Sequence, residues 1–156
     1  MNAALNDVRE FHRRIGAAVA DSPVLLPCHR ESSSEMANAI RGLLTRCQSM
    51  ADDGSSLLAR LCLALEEMAE WAEAHAAGDL VAAADAWGDR LYVLLGDAVA
   101  AGLPATAIFD EVHRSNMSKT AAQAGSLGKG TKTGAFHRPR LREILFPAAE
   151  GPSAED

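Results

Sequence analysis

The stretch LVAAADAWGDRLYVLLGDAVAA, residues 80–101, carries four charged side chains, Asp85, Asp89, Arg90 and Asp97, in 22 residues that are otherwise almost wholly apolar. A helix of this composition has to bury most of its circumference, so the rest of the chain must supply helices to cover it. Alanine and leucine dominate, aromatic residues make up 4%, and runs of β-branched residues are missing. At 156 residues the chain is long enough to bury a core as one domain. The expected fold class is all-α.

A first helix is predicted from Asn6 or Asp7, with Val8, Phe11, Ile15 and Val19 on one side. Pro23 and Pro27 in DSPVLLP exclude helix there. A second helix, at about 33–51, follows ESSSE, where Ser32 and Glu35 have capping-box spacing, and its apolar line reads Met36, Ile40, Leu43, Cys47, Met50. DDGSS ends it and offers Ser55 or Ser56 as the next cap. The third helix then spans about 56–77 and the fourth about 80–101, stopping at Gly102. Together they form an αα-hairpin. Pro104 suits the first turn of a fifth helix with Ile108, Val112 and Met117 inward. Residues 1–120 thus read as a four-helix-bundle core with an additional helix, and 121–156 as a basic, glycine-rich flexible tail.

The hairpin concentrates carboxylates. LEEMAEWAEA, 65–74, places Glu66, Glu67, Glu70 and Glu73 on roughly one third of a helix, at about 100° per residue. Upstream on that arc lie Ala59, Cys62 and Leu63, so the acid face begins as a buried face. On the fourth helix, Arg90 and Asp97 read as a wet edge, whereas Asp85 and Asp89, beside Ala82, Tyr92 and Gly96, read as inward. Between 63 and 97 there are eight acids and one base, Arg90. Buried charge without a partner costs several kcal/mol, so these groups require a cation. An all-carboxylate set suits a hard divalent ion, Mg2+ first and Mn2+ second. A di-iron site would require Glu-x-x-His pairs, which neither helix has. EEMAE by itself reads as a solvated face; its combination with Asp85 and Asp89 favours a metal site.

The net charge of −6 argues against binding a nucleic-acid polymer. Three cysteines without C-x-x-C spacing suggest neither a disulfide framework nor a zinc knuckle, and no apolar run is long enough to span a bilayer. With no secretory h-region at the N-terminus, the expected location is the cytoplasm, away from membranes.

These motifs resemble the all-α nucleoside triphosphate pyrophosphohydrolases, the MazG-like and phosphoribosyl-ATP pyrophosphohydrolase-like group. The family pattern E-E-x-x-E is met by Glu66, Glu67 and Glu70, and the acids of the next helix by DAWGDRLYV with Asp85 and Asp89. FDEVHRSNMSK and VREFHRRIG are similar to the family as well. Many members carry Glu three residues before the final Asp, where this chain has Ala86, so Asp85 would have to substitute from one position earlier.

The resemblance implies Mg2+-dependent cleavage of a (d)NTP between the α and β phosphates, giving NMP and pyrophosphate, with dUTP or another deoxynucleotide as the analogous substrate. It assigns Glu67, Glu70, Asp85 and Asp89 to the metal, and Glu66 either to the metal or to the role of catalytic base. Asn116 and Lys119 match its phosphate-binding positions, with Arg114 close by. From 113 to 142 seven basic residues and no acid occur, so the tail reads either as a lid over phosphates or as a solubilising segment. Phe11, His12, Trp71 and Trp87 read as base-stacking candidates or as core. The family's subunits pair their helices, which implies a homodimer or homotetramer. Two alternatives stand beside the enzyme: a non-catalytic helical homo-oligomer, and a degenerate family member that binds nucleotide without turnover.

Overall fold

The computed structural model describes residues 1–50, 54–124, 126 and 128–147. Six helices, α1 (Asn2–Ile15), α2 (Arg30–Met50), α3 (Ser56–Ala77), α4 (Leu80–Ala101), α5 (Ala105–Asn116) and α6 (Leu141–Leu145), and two short strands, β1 (Thr120–Ala122) and β2 (Gly130–Thr131), follow one another along the chain. The all-α class holds. The elements divide into two compact units, Asp21–Ala101 and the described residues of Met1–Ala20 with Gly102–Asp156. Of the expected bundle helices, α2, α3 and α4 pack in the first unit, while α1 and α5 pair in the second.

In the first unit α3 lies between α2 and α4. Ser55 caps α3, its Oγ accepting the Leu58 N–H at 3.3 Å. Gly78 ends the helix in the left-handed conformation at φ 77°, where a side chain would be strained. Asp79 Oδ1 then accepts the N–H groups of Val81 and Ala82, at 2.9 and 3.0 Å, and starts α4. Much of the seam is alanine: Ala69, Ala74, Ala76, Ala83 and Ala86 are all buried, and side chains this small let helices approach closely. Helix α2 differs from expectation. It starts at Arg30, which puts Ser32 inside the first turn rather than at a cap, and its buried line is Ala37, Leu44 and Cys47. Met36, Leu43 and Met50 are exposed, because the side of α2 that meets α3 is rotated from the line that hydrophobicity alone suggests.

In the second unit α1 begins at Asn2 and stops at Gly16, in the left-handed region at φ 75°, so Val19 falls outside it. Helix α1 packs on α5 and β1. The stretch expected to be irregular contains an antiparallel pair with Thr120 opposite Thr131, and α6 packs on α5. The tie is polar. Glu111, buried on α5, receives both edges of Arg114 at 2.6 and 2.7 Å and the backbone N–H of Arg140 at 2.6 Å. Ser115 donates to the carbonyl of His137 at 2.7 Å, and Ser118 accepts its N–H at 2.9 Å. Among the described residues no single helix is long and apolar enough to cross a membrane.

Candidate functional site

The acids of the α3–α4 hairpin lie near enough to Glu67 for their charges to act on it. Its Oε2 is sealed from solvent and, among the described residues, is the one buried side-chain polar atom without a hydrogen-bond partner. Burial pushes the Glu67 carboxyl above the usual glutamate range, and the charges of Glu70, Asp89, Glu66 and Asp85 push it further in that order. These are five of the six carboxylates that the sequence singles out; the sixth is Glu73. A desolvated oxygen surrounded by four like charges is the environment in which a cation is most stabilising.

Two expectations about this site are corrected. Asp85 and Asp89 are exposed in this chain, not inward. Their side of α4 also carries Val81, Tyr92 and Val99, which are 81%, 79% and 83% exposed. The supposed wet edge is the side that meets α3: Arg90 lies over the Trp71 ring, 4.5 Å from its centroid, and Asp97 accepts Arg60 Nε at 2.7 Å. Arg60 also donates to the carbonyl of Val93, and its guanidinium lies where a Cβ at Gly96 would be. Cross-helix pairing therefore turns charged residues toward the interface and leaves apolar ones outside. Ala86 is 3% exposed and faces inward.

The cation that the sequence reading missed comes from α2. Arg41 forks onto Glu73, Nε to Oε1 and NH2 to Oε2 both at 2.9 Å, and stands 3.7 Å from Glu70. The fork holds the Glu73 carboxyl below its usual range, and Glu73 with Glu70 and Glu66 raises the Arg41 guanidinium. The signal was present in the sequence, since Arg41 occupies the same side as Ala37 and Leu44, one turn from each. Arg41 draws the acid row toward α2 at one end. Elsewhere the carboxylates stay apart, and among the described residues no three His, Cys, Asp or Glu side chains converge as a ready-made ligand set. The fit to a hard cation thus rests on donor type and on the orphaned Glu67 oxygen; side-chain rotation is needed to close the set.

The basic candidates belong to the other unit. Lys119 Nζ donates to Asn116 Oδ1 at 2.6 Å and lies 5.8 Å from the centroid of Phe11. Arg114 is engaged with Glu111 and with the carbonyl of Arg138, at 3.2 Å. His12 Nδ1 lies 2.9 Å from the carbonyl of Ala18. Within the hairpin unit, Trp71 and Trp87 line an apolar hollow of about 420 Å³ with Leu25, His75, Leu80 and Ala83.

Residues 48–116, from the last turn of α2 to the end of α5, match the family model for phosphoribosyl-ATP pyrophosphohydrolase. The matched segment contains all five acids, Arg114 and Asn116; Arg41 and Lys119 lie outside it. No curated protein and no solved structure matches the chain.

Proposed function

We propose, on the premise that residues 48–116 belong to the phosphoribosyl-ATP pyrophosphohydrolase family of all-α nucleotide pyrophosphohydrolases, that this protein cleaves a nucleoside triphosphate between its α and β phosphates. The observation that carries the reading is the buried, unpartnered Glu67 oxygen among Glu66, Glu70, Asp85 and Asp89. A bound Mg2+, or Mn2+, would neutralise phosphate charge as the bond to the leaving pyrophosphate breaks. Glu67 and Glu70 from α3, with Asp85 and Asp89 from α4, would hold it. Glu66, on the same turn, is the candidate to join them or to orient the attacking water. Arg41, forked onto Glu73 and near Glu70, limits how much of the acid row is free for a metal. Asn116 and Lys119 are proposed to meet phosphate oxygens; Lys119 already makes the hydrogen bond to Asn116 that a phosphate oxygen would replace.

The test is incubation of the purified chain with Mg2+ and a panel of ribo- and deoxynucleoside triphosphates, dUTP included, together with phosphoribosyl-ATP. Pyrophosphate and a monophosphate are the expected products, with label from ¹⁸O-water in the monophosphate. Orthophosphate and a diphosphate would place the cut elsewhere. Nucleotide binding without turnover would support the degenerate member, and neither binding nor turnover the non-catalytic oligomer.

The uncovered side of α4 supports self-association: Val81, Tyr92 and Val99 are nearly as exposed as free side chains. A second copy of the chain is proposed to cover them, giving a homodimer or homotetramer.

A further inference from the structure

We propose that Cys47 of α2 and Cys62 of α3 are a redox-responsive dithiol that closes to a disulfide and locks these two helices together. Cys62 Sγ donates to Cys47 Sγ at 3.0 Å, whereas a disulfide holds its sulfurs about 2.05 Å apart, so an approach of roughly one ångström forms the bond. Cys47 is buried at 8% exposure and Cys62 is part-buried, which leaves Cys62 as the sulfur that a small oxidant meets first. Cys28 is exposed and contacts the carbonyl of His75 at 3.8 Å, so it serves as an internal control for indiscriminate oxidation.

The pair sits on a seam that already carries a cross-helix tie. Arg41–Glu73 and Cys47–Cys62 both join α2 to α3, the residue number rising along one helix as it falls along the other, as in antiparallel packing. Cys62 lies one turn before Glu66 on α3. A covalent link there fixes the loop end of the seam, where the salt bridge does not reach.

The oxidant is hydrogen peroxide. The Cys62 sulfur attacks one peroxide oxygen, the O–O bond breaks, and the departing hydroxide leaves as water with the thiol proton. The Cys47 sulfur then attacks the Cys62 sulfur, the S–O bond of the sulfenic acid breaks, and its hydroxyl leaves as a second water with the Cys47 proton. Two thiols are oxidised and one peroxide is reduced to two waters. A dithiol reductant reverses the bond by exchange.

The experiment treats the reduced full-length protein with one equivalent of peroxide, blocks remaining thiols by alkylation, and maps the peptides by mass spectrometry. The expected result is a Cys47–Cys62 linked peptide pair, an alkylated Cys28, and a melting temperature raised by a few degrees until dithiothreitol is added. Cys62→Ser should show neither the link nor the shift. In Cys47→Ser, Cys62 should stop at a sulfenic acid that a dimedone-type probe captures. Recovery of Cys47 and Cys62 both alkylated while Cys28 is oxidised, or of Cys62 as sulfinic acid without a link in the parent chain, would overturn the proposal.

Discussion

Arg41 of α2 and Glu73 of α3 form a two-pronged ion pair, with both N–O distances 2.9 Å, at the end of a row of carboxylates that has no basic residue of its own. Both side chains are more than a third exposed, so solvent screens the pair and its contribution is about 0.5–1 kcal/mol. Arg41→Met should cost that much in urea unfolding. It should also tighten Mg2+ binding severalfold, because a cation that competes for Glu70 and Glu73 is gone. Weaker Mg2+ binding in the variant, measured by calorimetry, would mean instead that Arg41 positions the acids.

Stability should respond to acid through Glu111. Hydrogen bonds from Arg114, and then from the Arg140 backbone, lower its carboxyl from the ordinary 4.5 to about 2. A depressed folded-state value gives stability that is present above pH 4.5 and lost as the pH falls toward 2. Glu111→Gln should therefore be less stable than the parent at pH 7, and the difference should shrink across that window. A constant difference from pH 7 to 2 would remove Glu111 from the acid response.

Glu67 works in the opposite direction. Its raised value means that the metal-free fold loses stability as the pH rises through the carboxyl's titration, and that Mg2+ binding should strengthen over the same rise. Calorimetric Mg2+ titrations from pH 4 to pH 7 should show tighter binding at the higher pH. Affinity that is flat with pH would separate the metal from this carboxylate.

The α4 face gives a test of assembly. Val99, 83% exposed, lies two turns beyond Tyr92 on the same side of α4. Val99→Glu should shift the protein to a monomer in sedimentation if a second copy covers this face, since burying an unpaired carboxylate costs several kcal/mol. An unchanged sedimentation coefficient would show that the face is not the contact.

Much of this architecture is legible from the chain. The boundaries of α3 and α4 follow from Ser55, Gly78, Asp79 and Gly102, because caps and left-handed positions are local requirements. That Glu66, Glu67, Glu70 and Glu73 share one side of α3 is legible too, since spacing on a helix fixes which residues share a side. The rotation of α4 was not legible: Arg90 on Trp71 and Arg60 on Asp97 are tertiary contacts that overrule an apolar count, and they turn Asp85 and Asp89 outward. Arg41 was overlooked because it is far from the acids in sequence, and the Glu111 network because Arg140, which closes it onto α5 beside Arg114, comes from the segment read as irregular.

The central claim, that the carboxylates around Glu67 form a metal site rather than a solvated face, is tested most directly by thermal unfolding of Glu67→Gln with and without Mg2+. Without metal the variant should melt at or above the parent, by up to about 1 kcal/mol, because the change removes a charge whose inner oxygen has no partner. Millimolar Mg2+ should raise the parent's melting temperature, as binding to the native state adds RT ln(1 + [L]/Kd), and should leave the variant's unchanged. A metal-free variant that melts well below the parent, with the same response to Mg2+ in both proteins, would contradict the account and make Glu67 a structural residue.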